Sequence, residues 1–296
     1  MTEKIIYVVL HYNAIDETEA CIQNLLELPG MGGIVLVCNG SANGTDEILF
    51  QKYSTVDRIT VLVNQENLGY AKGLNIGFRY AKEELHADFI VCMNNDVLIE
   101  QKNFNSLLVE QYRLQGFALA APDVINLDGV HCNPGYLDVP TEESVRRSLR
   151  TFRRRLKGCE RLFGVPEIIA CAMARIKRMK PLSEQNTDGK LYRFHGCCWI
   201  FSKKYIDKHS GICSRTHLYG EEEILSYMCY VDGLKMAYLP ELTLIHRESV
   251  ATKRIQRNLI MRHAFYYRNL IRSTEVLLDL VLDAENQGMA RFRTEG

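Results

Sequence analysis

Four short runs of consecutive apolar, largely β-branched residues punctuate the first third of the chain: KIIYVVL at 4–10, GIVLVC at 33–38, ITVLV at 59–63 and DFIVCM at 88–93. Such runs, without polar alternation, predict strands buried on both faces. Between them the period lengthens. Residues 16–28 carry Cys21, Ile22, Leu25 and Leu26 on one stripe, and 45–53 and 70–84 predict two further helices. The order β-α-β-α-β-α-β predicts an α/β fold with a parallel, nucleotide-binding type of sheet, whose ligand crevice lies beyond the carboxyl ends of the strands. Three of those ends are polar: His11-Tyr12-Asn13, Asn39-Gly40-Ser41 and Asn94-Asn95-Asp96.

The alternation breaks at 135–190. There NPGYLDVP gives way to a basic stretch with Arg146, Arg147, Arg150, Arg153, Arg154, Arg155, Lys157 and Arg161, expected to be a strandless insertion: a lid, a solvated helix, or a surface for anionic lipid or acceptor. YRFHGCCWIFS (192–202) reads as a strand with Cys197 and Cys198 on opposite faces. A helix over 221–231, strands KMAYL and TLIH, and a long helical pattern over 251–282 complete the reading. That last pattern puts Ile260, Ala264, Tyr267, Ile271 and Leu278 on one stripe. The expected division is a domain over 1–250 and a helical extension over 251–296.

Composition narrows the classes. With 36 basic and 36 acidic residues the formal net charge is zero, so no global field favours nucleic acid. Ten cysteines form no C-x-x-C pair, and several sit inside apolar runs, which suits buried thiols in a reducing cytosol. The opening apolar run is too short for a leader, and no segment approaches ~20 apolar residues. A cytoplasmic protein is expected.

Three constellations carry candidate chemistry. In NLGYAKGLNIG (67–77), Gly69, Gly73 and Gly77 enter and follow a helix start, which permits either close approach of a phosphate or tight helix–sheet packing. The spacing is neither a P-loop nor a dinucleotide fingerprint. Asp96 is either the acid of an Asx turn or a Mg²⁺ or Mn²⁺ ligand completed by substrate phosphates. Glu221, Glu222 and Glu223 open a helix; they complement its dipole, or one of them, crowded by like charge, serves as a general base.

In chain order, HYN, CNGSANGT, NLGYAKGLNIG, MNNDV, GCCWIF, YGEEE and LIH span residues 4–246. Together they resemble family 2 inverting glycosyltransferases of the A-type fold, in particular the rhamnosyltransferase-like members. The resemblance implies a Rossmann-like, mostly parallel sheet. It also implies a donor site built from His11, Tyr12, Asn13, Asn39, Ser41, Asn67, Gly69, Lys72, Gly73, Asn75, Asn94, Asn95 and Asp96. Asn94 replaces the first acid of the family's D-x-D element, leaving Asp96, with His246, to hold Mn²⁺ or Mg²⁺. Asn39 stands where many members read the base with an Asp, so a UDP- or dTDP-sugar is expected. Glu222, with Glu221 beside it, matches the catalytic base; Gly196 and Trp199 match the acceptor or sugar side, with core packing the other reading of Trp199. The implied setting is bacterial cell-surface polysaccharide synthesis with a saccharide or lipid-linked acceptor, in peripheral contact with an anionic membrane. A nucleotidyltransferase would need a Gly-rich loop after the first strand, where this chain has HYN. A degenerate, non-catalytic nucleotide-sugar binder is the remaining alternative.

Overall fold

The computed structural model describes residues 3–161, 189–247 and 259–288. The predicted first half is present: strands β1 (Ile5–His11), β2 (Gly33–Asn39), β3 (Ile59–Asn64) and β4 (Phe89–Asn94) alternate with helices α1 (Ile15–Leu26), α2 (Thr45–Tyr53) and α3 (Tyr70–Glu83). Next come β5 (Val97–Leu98), α4 (Phe104–Gln115) and β6 (Leu119–Asn126), then β7 (Gly135–Asp138) and α5 (Glu142–Arg161). The remaining elements are β8 (Lys190–Arg193), β9 (Cys198–Ser202), α6 (Lys203–Ile206), α7 (Glu221–Val231), β10 (Met236–His246) and α8 (Leu259–Asn286).

One eight-stranded sheet runs in the order β3-β2-β1-β4-β9-β6-β10-β5. It is parallel except for β9, which opposes both β4 and β6, and the two-residue β5, which opposes β10. Alternation along β1 divides the core: Ile5, Tyr7 and Val9 pack toward α1 and α4, while Ile6 and Val8 pack toward α3. Helices cover both faces, which is why the strands carry no polar alternation.

Three expectations are corrected. The 192–202 run is two strands: β8 pairs with β7 in a separate ribbon, and β9 enters the main sheet after a turn at His195–Cys197. Cys197 therefore precedes the strand, and it shares one core cluster with Cys198 instead of facing away from it. The insertion begins with the strand β7, so it is not strandless, and KMAYL and TLIH form one strand whose register shifts between Leu239 and Thr243.

Beneath its arginines α5 carries an apolar stripe, Val145, Leu149, Phe152, Leu156 and Cys159, spaced at three and four residues. It packs on α8, in contact with Ala264, Tyr267 and Leu270. Within α8, Ala264 and Tyr267 are buried as expected, but the stripe continues through Leu270, Leu277 and Val281 rather than Ile271 and Leu278. The second half of the basic insertion (162–188) and the start of the long helical pattern (251–258) lie outside the described residues. Among those described, no helix is long and apolar enough to cross a membrane.

Candidate functional site

The ends of β1 and β2 are tied to the helices that follow them. His11 is wholly buried; its Nδ1 bonds the Thr18 hydroxyl at 2.7 Å and its Nε2 the Thr45 hydroxyl at 2.9 Å, with Asp46 at 3.4 Å. Burial drives its pKa down to about 4 against the pull of Asp46. This histidine fastens α1 and α2 to β1 and has no surface to offer a donor, contrary to the expectation for it. Asn13, at φ 60°, donates its N–H to the Ser41 hydroxyl at 3.0 Å, and Ser41 donates its own to Asp46 at 2.7 Å. The two strand-end loops thus form one unit.

Asn39 is likewise committed. Its amide donates to Asn67 Oδ1 and to the Gly69 carbonyl, both at 3.2 Å, and its oxygen accepts from Asn64 Nδ2 at 3.0 Å and the Leu68 N–H at 3.3 Å. Two donors and two acceptor sites are all that a carboxamide has. Asn39 holds the 64–69 loop in place, so the expected pairing with a base edge would require it to release that loop.

The glycines before and along α3 serve close packing. A Cβ on Gly77 would lie 2.4 Å from Val8 Cγ1, and one on Gly73 would lie 2.9 Å from Leu10 Cδ1. Gly69, at φ 82°, would place a Cβ 2.4 Å from His217 Nδ1, and its backbone faces the cleft. Asn75 is buried and clamps Ile212 by both its N–H and C=O at 2.8 Å; Lys72 is exposed on α3 and does not line the cleft. Sequence spacing grouped these with the donor site, but helical rotation turns them away.

Sheet register brings together the acidic corner. After β4 the chain turns through Asn95 and Asp96, and Val97 then pairs with His246 at the end of β10. Asp96 Oδ1 lies 3.3 Å from His246 Nε2, and both residues are buried. Two residues that the sequence did not single out join them: ligating atoms of His195, Cys197 and His246 all fall within 4.8 Å of one another. The pairing of a carboxylate with imidazoles suits a divalent cation.

On the other side of Gly196 sit the glutamates. Tyr219 and Gly220, at φ 68° and 87°, turn the chain sharply into α7, whose first turn carries Glu221 to Glu223. Glu221 is buried; burial, with Glu222 beside it, raises its pKa to about 7 against backbone and Thr216 hydrogen bonds. Glu222 is half-buried, and burial also raises its pKa, opposed by Arg193. A Cβ on Gly196 would fall 2.8 Å from Glu222 Oε1, and the Gly196 carbonyl accepts from the Tyr70 hydroxyl at 2.6 Å. Trp199 is wholly buried in the core, edge-on to Tyr70 at 6.0 Å, so its ring is not a platform for sugar.

A cleft of about 430 Å³ opens beyond the strand ends, lined by Tyr12, Asn39, Asn67, Gly69, Asn94 and Asn95 among others. Its far wall is His217, Leu218, Tyr219 and, from α8, Arg262 and Phe265. The sequence signal for that wall was weak: Arg262 is one of many basic residues, and only packing of α8 selects it.

The family described as "Glycosyl transferase family 2" matches residues 7–210. Among curated proteins, the chain is 20% identical over 281 residues to the low-salt glycan biosynthesis hexosyltransferase Agl10 of Haloferax volcanii, covering 93% of this chain and 79% of that one. Among solved structures, GalNAc-T7 with UDP, GalNAc and Mn²⁺ superposes with a TM-score of 0.56 at 14% identity, over 84% of this chain. The match takes in 45% of that protein, so the chain spans less than half of its length. The mannosyltransferase PcManGT from Pyrobaculum calidifontis, in complex with GDP-Man and Mn²⁺, gives 0.50 at 14% identity, covering 100% of this chain and 76% of its own. These two likenesses concern the fold: an α/β, A-type sheet flanked by helices.

Proposed function

The chain belongs to glycosyl transferase family 2, and on that footing we propose that it moves a hexosyl or deoxyhexosyl unit, with inversion, from a UDP- or dTDP-sugar to a saccharide or lipid-linked saccharide in cell-surface polysaccharide synthesis. One observation carries the reading. The Asp96–His246 pair and the Glu222 carboxylate flank the turn that holds Gly196, beside a cleft floored by strand-end amides.

In this reading the nucleoside diphosphate lies along Asn94 and Asn95. Arg262, the one Lys or Arg side chain among the described residues lining the cleft, faces its negative charge. Asp96 and His246 fit a divalent ion, since their facing atoms are already 3.3 Å apart and both residues are buried. Mn²⁺ or Mg²⁺ bound there would supply Lewis-acid neutralisation of the departing diphosphate. Glu222 takes the proton of the acceptor hydroxyl, and its partial burial raises its proton affinity as a general base requires. Glu221, deeper and also shifted upward, borders it. The 217–219 loop and α8 wall the cleft on one side.

The test is a panel of nucleotide sugars with and without Mn²⁺, following nucleotide release and the anomeric configuration of the product by NMR. Metal-stimulated turnover of at least one donor with inversion is expected. Retention would remove the single-displacement mechanism, and nucleotide release without any metal response would remove Asp96 and His246 as holders of a catalytic ion.

For the acceptor side we propose contact with an anionic surface through α5. Arg146 and Arg147 pair with Glu142 and Glu143, Arg153 pairs with Glu275, and Arg155 lies over the Tyr267 ring. Arg150, Arg154 and Lys157, spaced along one exposed face, have no carboxylate partner among the described residues. At about 1 kcal/mol per basic side chain near an anionic surface, three suffice only for loose, salt-sensitive attachment. Phe265 and Tyr266 are partly exposed nearby, while Tyr267 is core. Flotation with anionic vesicles at low and high salt checks this; no association at low salt refutes it. Lys253, Arg254 and Arg257 lie outside the described residues.

A further inference from the structure

We propose that His195, Cys197 and His246 form a zinc-class metal site where the turn into β9 meets the end of β10, with Asp96 facing His246 Nε2. It rests on the proposed function only in sharing His246 and Asp96 with the donor's metal position.

Three observations converge on the site. The ligating atoms of these three side chains lie within 4.8 Å of one another, although residues 195 and 246 belong to different segments of the fold. His246 is 7% exposed, and its Nδ1 is buried with no hydrogen-bond partner among the described residues, while its Nε2 faces Asp96 Oδ1 at 3.3 Å. A buried imidazole nitrogen without a partner is uncommon, and a metal ion is one of the few groups that satisfies it. A ring that carries its proton on Nε2, directed at a carboxylate, presents the Nδ1 lone pair to an ion; this is the usual carboxylate–histidine–metal arrangement.

The other two donors are held by backbone. His195 donates its N–H to Asn133 Oδ1 at 2.7 Å, and the Cys197 carbonyl accepts from the Asn94 N–H at 2.9 Å. The Cys197 N–H reaches His195 Nδ1 at 3.2 Å, a bond that orients the ring beside the Cys197 segment and that an ion taking the Nδ1 lone pair would replace. His195 is half-buried, whereas Cys197 is wholly buried.

The donor chemistry sets the ion. Two imidazoles and a thiolate favour Zn²⁺ or Co²⁺ over Mg²⁺, and three protein ligands leave one open position. Binding costs the Cys197 thiol its proton, which passes to solvent. With His246 ligating through Nδ1, its Nε2 would carry the proton toward Asp96 and could not also ligate a donor-side ion there. Zinc in this site therefore opposes Mn²⁺-dependent donor binding.

The experiment titrates the purified full chain with Co²⁺ and follows near-ultraviolet absorption, where thiolate-to-cobalt charge transfer appears. A saturable band is expected in the wild type, lost in Cys197→Ser and Cys197→Ala and kept in Cys132→Ser. In parallel, calorimetry with UDP and Mn²⁺ should show affinity falling by about tenfold or more when Zn²⁺ is added, with Cys197→Ser relieving the loss. A wild type without the band, or a band that survives Cys197→Ser, overturns the site, and the wild-type spectrum decides even if the variants fold poorly. Failure of UDP, dTDP and GDP alike to bind with Mn²⁺ would instead overturn the donor-site reading, while the cobalt spectrum still judges the metal site.

Discussion

Acidification should weaken the fold through His11. Both ring nitrogens are engaged in a wholly buried setting, and burial lowers the pKa from 6.5 to about 4. In the unfolded chain the ordinary value returns, so between the two values the unfolded state binds the additional proton and is favoured. The stabilisation is therefore complete above the unfolded pKa and is lost as pH falls through it toward the folded one. Going from pH ~7.5 to ~5, a shift of that size removes about 2 kcal/mol, a large share of the stability of an ordinary domain. The assay compares denaturant unfolding of the wild type and His11→Gln at each pH, so that carboxylates common to both cancel. The stability gap should narrow by about 2 kcal/mol over that range. Donor affinity of the wild type should fall with it, because the Asn13–Ser41 loops hang on the same knot. A gap that stays constant with pH would refute the buried neutral histidine.

Replacing the proposed base, Glu222→Gln, should cut turnover by ~10² or more with donor affinity held; if Glu221→Gln shows the large loss and Glu222→Gln does not, the base is the neighbouring residue. Gly77→Ala puts a methyl 2.4 Å from Val8 Cγ1 and 2.8 Å from Val37 Cγ2. Overpacking of about 1–3 kcal/mol should outweigh the gain in helix propensity of about 1 kcal/mol, and equilibrium unfolding will register the net loss. Arg262→Ala should weaken nucleoside diphosphate binding about tenfold without changing stability, since the residue is exposed, whereas Arg268→Ala, whose partner is Glu160 away from the cleft, should bind normally. Equal calorimetric affinities for the two variants would remove Arg262 from the site.

Local pattern was enough for the frame. Uninterrupted apolar runs such as Val35 to Cys38 have no polar position to expose, so they announce a sheet covered on both faces, and the polar ends of β1, β2 and β4 announce the crevice. The stripe on α5 was also there to read, masked only by the eight basic residues around it. Which side chains face the crevice is another matter. Asn39 and His11 have the same strand-end signature as Asn94, yet the 64–69 loop and the Thr18 and Thr45 hydroxyls consume them. Asp96 meets His246 because Val97 pairs beside it on β10, and His195 and Cys197 join them through the turn into β9. Local periodicity follows from the geometry of one strand or helix, whereas these meetings depend on register between segments distant in sequence. Hydrogen-bond saturation is likewise settled only when every neighbour is in place, so the tertiary structure alone distinguishes the residues that build the cleft from those that face into it.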